Sequence, residues 1–228
     1  MCGRFGLGLN ARSLLSLFDL EDEGTLTARY NIAPGQSIPS IRCTGEGYTP
    51  ELEAMYWGFI PSWDDIGKRP VINARSEKCE GRFWRQAFAR RRCLIPASWW
   101  YEWQPQEHGK QPYAIQPSSG EPFCFAGIWA WPKSLPGNHR AAGQAGCAIV
   151  TREAVPELAS IHSRMPVALT EAGARRWLAR DTSVTSLGEL IDRGIITGLR
   201  SWPVSLRVND PKTDDASLIA PVSHQEPG

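Results

Sequence analysis

Apolar residues along this chain recur mostly with the period of strands. Leu52, Ala54 and Tyr56 alternate with polar neighbours and run on into Trp57, the pattern of a half-buried strand. Similar short runs predict strands over Ser37 to Cys43, Cys93 to Trp103, Tyr113 to Gln116, Phe123 to Trp131, Cys147 to Thr151 and Leu199 to Val208. A short Leu218-Ile219 segment closes the core. Helical spacing is rarer. Asn10 is placed to cap a helix carrying Leu14, Leu15, Leu17 and Phe18, with Gly24 ending that region. Gly81 to Arg92 predicts a helix with Phe83, Trp84, Ala87 and Phe88 inward. Val155 to Ile161 predicts a helical turn. Thr170 caps a helix holding Ala174, Trp177 and Leu178, and Leu187 to Ile191 suggests another.

Gly and Pro punctuate these runs. Tyr30 to Gln36 reads as a turn into the next strand, where Pro39 predicts a sheet edge. Gly58 to Trp63 is a loop that displays Trp63, Gln104 to Gln111 is a hairpin connection, and Pro132 to Gly146 is the expected mobile loop. Strands outnumber helices without regular βαβ alternation. The expected class is therefore α+β, with a largely antiparallel, bent or barrel-like sheet and several short flanking helices. No repeat or composition shift marks a linker, so residues 1–222 read as a single domain and 223–228 as a flexible tail.

Composition narrows the class. Of the 228 residues 42% are hydrophobic, enough for a sizeable core, and a net charge of +1 excludes a wholly basic coat while allowing a local basic groove. The ten tryptophans suit either a core or a surface that stacks on bases. No two of Cys2, Cys43, Cys79, Cys93, Cys124 and Cys147 form a C-x-x-C pair, so neither a metal site nor a redox motif is expected. The start lacks an apolar signal region, and no long apolar run follows. The expectation is a soluble, cytoplasmic protein with free thiols, five of them in the core, no cofactor, and nothing that requires more than a monomer.

Chemistry gathers in a few places. While Met1 is attached, Cys2 is an ordinary residue with a buried, structural reading. Removal of Met1 would give it a free amine and a thiol two carbons apart. Their ordinary pKa values are about 7.7–8.0 and about 8.5, so both are partly nucleophilic near neutrality. Such a 1,2-aminothiol can capture an aldehyde as an imine and close it to a thiazolidine, or attack an acyl group. An extended Val71 to Glu77 would put Asn73, Arg75 and Glu77 on one face, either a site or a solvated edge. Arg90-Arg91-Arg92 reads as a solvated helix end at the negative dipole pole. Glu102 lies among Trp99, Trp100, Tyr101 and Trp103. It is either an acid/base group with a raised pKa or a strand-end glutamate with its head in water. His162, beside Ser163 and Arg164 and just before Pro166, sits at an element junction where sites tend to be, although a lone His is usually structural.

Taken in order, Met1-Cys2-Gly3-Arg4, Tyr30 to Pro34, Trp57 to Trp63, Asn73 to Glu77, Tyr101-Glu102-Trp103 and His162 to Val167 resemble the SOS response-associated peptidase family, the abasic-site processing proteins. The resemblance extends to Val204-Ser205 and Val208-Asn209 and covers nearly the whole chain. It implies a protein that binds single-stranded DNA and crosslinks itself to abasic sites during the DNA damage response. On the family pattern Cys2 is the nucleophile, and Asn73, Glu102 and His162 complete the site. Arg4, Asn31, Trp63, Arg75, Trp103, Thr151, Ser163 and Arg164 match positions that hold or wedge the DNA. The position before the aromatic-Tyr-Glu-Trp segment is commonly Gly in the family and is Trp99 here, a difference that bears on the packing near Glu102.

The expected reaction starts with His162 protonating the sugar ring oxygen. The Cys2 amine then attacks C1′ while Glu102 shuttles protons, and the thiolate closes the ring. Asn73 would hold the sugar or the Cys2 terminus, the arginines would neutralise phosphates, and Trp63 and Trp103 would stack on flanking bases. Stopping at the imine would make the protein an abasic-site lyase. The same amine–thiol pair could cleave the Met1–Cys2 bond. Two alternatives stand beside this reading: an amidotransferase-type hydrolase using an N-terminal Cys, and a non-covalent binder of damaged single strands.

Overall fold

The structure is a computed structural model that describes residues 2–21, 26–63, 70–133 and 135–222. The chain opens on β1 (Phe5–Leu7), a 3-10 turn and a short helix α1 (Ser13–Ser16). β2 (Arg29–Ile32), β3 (Ser37–Thr44), β4 (Thr49–Trp57) and β5 (Asn73–Arg75) follow, then α2 (Arg85–Arg90). β6 (Arg92–Ala97), β7 (Trp99–Gln106), β8 (Gly109–Pro117), β9 (Phe123–Ala130) and β10 (Gly146–Glu153) make up the middle of the chain. β11 (Arg164–Pro166), β12 (Ala168–Leu169), α3 (Glu171–Leu178), α4 (Val184–Arg193) and β13 (Leu199–Pro203) complete it. The fold is α+β, as the strand-rich pattern predicts.

Two sheets carry the architecture. A five-stranded antiparallel sheet runs β13-β8-β7-β1-β2. The other sheet closes on itself. β4, β3, β6 and β9 pair in sequence, and β10 joins β9 on one side and β4 on the other. Closure leaves this ring without free edges, and it explains why β10 is buried along Gly146 to Thr151 instead of alternating. β10 also receives β5 in parallel and β11 in antiparallel register. Gly146 is required where β10 enters, since a Cβ there would lie 2.5 Å from the Gly58 carbonyl oxygen.

One large core fills the ring and reaches under β1, with Phe5 edge-on to both Trp57 and Phe125. Thr170 caps α3 by accepting from the Gly173 N–H at 3.1 Å, as its position predicts. Among the described residues no helix is long and apolar enough to cross a membrane. All six cysteines are free. Cys43 is only half-buried, and the fifth fully buried thiol is Cys2 itself.

Several local expectations are corrected. Asn10 caps no helix; its side chain donates to Gly120 O and accepts from the Ser98 hydroxyl. Residues 30–32 are strand rather than turn, paired with β1. Pro39 is not on an edge strand: β3 lies between β4 and β6. Its ladder to β6 is the single pair Ile41–Leu94, so the N–H that Pro39 lacks falls outside that ladder. Phe83 points outward, while Trp84, Ala87 and Phe88 are buried. Arg92 is not solvated. Its guanidinium is buried and donates to carbonyls of Phe88, Ala89, Trp177 and Ala179, closing the C-terminal ends of α2 and α3. The run from Cys93 to Trp103 breaks at Ser98, where the chain changes sheet and the Ser98 hydroxyl accepts from the Gly8 N–H. β13 stops at Pro203, and Leu206–Asn209 forms a 3-10 turn. Gly24 and the tail 223–228 lie outside the described residues.

Trp99 has a clear accommodation. It pairs with Gly6 across β1 and β7, and a Cβ on Gly6 would fall 2.0 Å from the indole. The ring stacks at a tilt on Tyr30 and joins a second apolar cluster with Tyr101, Val204, Val208 and Leu218. Gly6→Ala is therefore expected to destabilise the fold by about 1–3 kcal/mol through overpacking. Trp99→Gly should relieve that clash, making the double variant less unstable than the sum of the single ones. Urea denaturation of the four proteins of this cycle measures the coupling.

Candidate active site

The site forms where the N-terminal end of β1 meets the open end of the ring. β1 and β7 pair through Phe5–Trp100, and the Tyr101 N–H donates to Arg4 O at 3.0 Å. Continuing that register sets Glu102 beside the first residues of the chain. From the other sheet, Asn73 begins β5, and its Nδ2 donates to the Cys2 carbonyl oxygen at 2.8 Å. His162 lies just before β11, whose Pro166 shares the β10 partner Thr151 with Arg75 of β5. Strands from both sheets, distant in sequence, thus converge near Cys2.

Cys2, Asn73 and Glu102 are all buried. Burial, reinforced by the Glu102 carboxylate, raises the Cys2 thiol well above its ordinary pKa. The side chain is therefore a neutral thiol, and its Sγ lies 3.9 Å from Arg4 O. Burial also raises Glu102 to about 7, against the pull of the positive chain terminus. A carboxyl poised there can give or take a proton at neutral pH. The strand-end reading, with the Glu102 head in water, is thereby corrected: the aromatic neighbours and the pairing with β8 leave it dry. Asn73 Oδ1 is buried and accepts no hydrogen bond among the described residues.

His162 is half-buried. Desolvation and the charge of the chain terminus lower its pKa, which keeps the ring neutral near pH 7. Its Nδ1 accepts from the Arg164 N–H at 2.9 Å and lies 3.1 Å from Arg164 O. The Arg164 N–H, an obligate donor aimed at Nδ1, favours the neutral tautomer with the proton on Nε2, whereas the Arg164 carbonyl oxygen is served by the other tautomer. Gln104, which follows Glu102 on β7, donates to Ser160 O at 3.1 Å and ties the loop carrying His162 to the strand carrying Glu102. Sequence reading missed Gln104 by placing it in a hairpin connection; its offset of two from Glu102 was the available signal.

The eight other candidate residues divide. Arg75 and Ser163 are exposed. Trp63 is 59% exposed and edge-on to Phe83 at 5.6 Å. Arg4 and Asn31 are engaged elsewhere. Arg4 Nη1 donates to Asn31 Oδ1 at 2.7 Å and to Val208 O at 2.6 Å. Asn31 Nδ2 donates to the carbonyls of Val208, Asp210 and Thr213. Trp103 Nε1 donates to Asn209 Oδ1 at 2.7 Å. These three clamp the C-terminal segment against β1 and β2. Thr151 is buried and accepts from Arg164, which also forms a bidentate ion pair with Glu77 at 2.8 and 3.0 Å. The expected strand through Glu77 is shorter than predicted: β5 ends at Arg75, and Glu77 arrives on a 3-10 turn.

Ionising Glu102 in this setting opposes folding. Its folded pKa, about 7, exceeds the ordinary 4.5, so the cost is absent below about pH 4.5, grows with pH, and is complete above about 7. Glu102→Gln should therefore raise stability at pH 8 by roughly 2–3 kcal/mol. The gain should vanish near pH 4.5. Melting curves at the two pH values test this, and an equal gain at both would contradict it.

The family model described as SOS response associated peptidase (SRAP) matches residues 1–211. The chain is 32% identical to the abasic site processing protein YedK of Escherichia coli, covering 97% of this chain and 100% of that protein. It is also 32% identical to the abasic site processing protein YoqW of Bacillus subtilis, covering 96% and 99%. Among solved structures, a phage-related protein from Bordetella bronchiseptica superposes with a TM-score of 0.72 at 29% identity, covering 89% of this chain and 94% of that one. A Bacteroides thetaiotaomicron protein shares the fold at TM-score 0.79 and 19% identity, covering 97% and 100%.

Proposed function

The chain belongs to the SOS response-associated peptidase family, and from that premise we propose that it processes abasic sites by capturing them, in single-stranded DNA, as a covalent thiazolidine. The observation that carries this reading is Glu102, a buried carboxyl raised to about 7 and electrostatically coupled to Cys2. A structural glutamate has no need of such a place, whereas proton transfer at an N-terminal nucleophile does.

After removal of Met1, Cys2 offers an amine and a thiol. Asn73, gripping the Cys2 carbonyl, fixes the residue while leaving both groups free to react. The abasic deoxyribose must first open from its hemiacetal to an aldehyde. The low pKa of His162 makes an imidazolium proton donor scarce at neutral pH, so the Nε2–H polarises the ring oxygen by hydrogen bonding and protonated Glu102 supplies the proton. The amine adds to C1′, and loss of water, assisted by Glu102, gives the imine. The thiol then adds to the same carbon: the C–S bond forms, and the thiol proton ends on nitrogen. Aldehyde and aminothiol thus give thiazolidine and one water. The raised thiol pKa suits this order, because the amine reacts first and the sulfur needs Glu102 as its base.

For the DNA, exposed Arg75 and Trp63 are the available phosphate and stacking groups. Arg4, Asn31 and Trp103 act chiefly by holding the C-terminal segment beside the site. Cleavage of the Met1–Cys2 bond and lyase activity at the imine stage are side reactions of the same groups.

Cys2→Ala is expected to abolish the adduct that survives boiling in detergent, while a reducible imine through the new N-terminal amine persists. A protein retaining Met1 should form neither. Intact mass before and after incubation with abasic single-stranded DNA reads both; an active sample with Met1 in place would refute the free-amine chemistry. Adduct formation should also inflect near pH 7, and Glu102→Gln should remove that inflection.

A further inference from the structure

Glu77 has no part in the chemistry above, yet it is the carboxylate that meets Arg164. Its two oxygens accept from Nη1 and Nη2 of Arg164 at 2.8 and 3.0 Å. Nη2 donates in addition to Thr151 O at 2.8 Å and approaches Thr151 Oγ1 at 3.3 Å. The Arg164 side chain is 12% exposed, against 48% for Glu77. The guanidinium is thus a largely buried strut between the turn after β5 and the middle strand β10. A DNA phosphate could take the same bidentate seat only by evicting Glu77.

The backbone of Arg164 leads to the site. Its N–H donates to His162 Nδ1, and its carbonyl oxygen faces the same ring nitrogen. The imidazole is therefore oriented by the peptide of the residue whose side chain Glu77 immobilises. If residues 162–164 twist about their own axis, the Arg164 N–H contact that favours the proton on Nε2 is lost. Two fixed points oppose that twist: the β10–β11 ladder through Glu153–Arg164 and the Glu77–Arg164 fork. β5 is only three residues long, so the fork also ties the strand that presents Asn73 to the loop that presents His162.

We infer that Glu77 is a positioning residue: acting through Arg164, it holds the His162 imidazole in its Nε2–H form and sets it against the sugar. The part concerning the sugar rests on the crosslinking function proposed above; the orientation of the ring does not.

Two variants, Glu77→Ala and Glu77→Gln, test the inference, with Gln keeping one acceptor oxygen and most of the shape should Ala fold poorly. Imidazole 15N NMR of the DNA-free protein, with His162 assigned by its loss in His162→Asn, reads the tautomer. The wild type should show Nε2–H with Nδ1 as acceptor. Glu77→Ala should show a mixture, and Glu77→Gln a smaller change in the same direction. Single-turnover adduct formation on saturating abasic single-stranded DNA should fall about tenfold in Glu77→Ala, while affinity for an undamaged strand stays within about threefold. An unchanged tautomer with an unchanged rate in both variants overturns the inference. So does a tenfold gain in affinity for the undamaged strand with the rate intact, which would make Glu77 a competitor of phosphate. A tautomer shift in the variants with no adduct from any protein, wild type included, upholds the positioning and overturns the crosslinking function.

Discussion

The hydrogen bond from Asn73 to the Cys2 carbonyl is the contact on which the site depends. β1 belongs to the five-stranded sheet and Asn73 to β5, which pairs with β10 of the ring. Without that bond Cys2 would be held to the ring by no backbone ladder, since the described pairings of this end of the chain begin at Phe5 and join the other sheet. With it, this end of the chain is held from both sides: β7 pairs with the backbone at Arg4, and Asn73 grips the carbonyl of Cys2. A neutral amide serves this purpose well. It donates a strong hydrogen bond in a buried place without adding a charge that would need a partner.

Around this bond the protein places charges where burial changes their behaviour. Glu102 is lifted into the neutral range because water is excluded by its aromatic neighbours, and the same exclusion keeps Cys2 protonated. Arg92 is buried and the Arg164 side chain is only 12% exposed, and the two guanidinium groups are bonded in different ways. Arg92 is spent on helix-end carbonyls far along the chain. Arg164 is spent on Glu77 and Thr151 beside the site. A buried cation costs several kcal/mol unless such partners exist, so both arginines hold elements together in fixed geometry. Arg75, by contrast, is exposed.

Much of the site was legible in the sequence because the motifs are short and chemically distinct. The aromatic run about Glu102 offered a raised pKa as one of two readings, the Asn73 segment offered a site or a solvated edge, and the order of the motifs supplied the rest. Pattern could not tell which of the candidate DNA-contacting residues are free. Arg4 and Asn31 look alike in one dimension whether they face solvent or grip residues 208–213, because those partners lie 177 to 204 positions away. Arg92 was misread for the same reason: its neighbours Arg90 and Arg91 suggest a solvated cluster, but α3 folds back to cover it. Trp99 shows the reverse case, an unusual residue made compatible by a glycine directly across the ladder.

Local chemistry thus determined the class of fold, the extent of most strands, and the identity of Cys2, Asn73, Glu102 and His162 as candidates, since alternation, caps and reactive group types are properties of neighbouring residues. Only the tertiary structure decided the closure of the ring about β10, the burial that tunes Glu102, and the division of the arginines into struts and free cations. Those features arise from partners distant in sequence. Desolvation and hydrogen-bond geometry depend on what surrounds a group in space, and no local pattern encodes that.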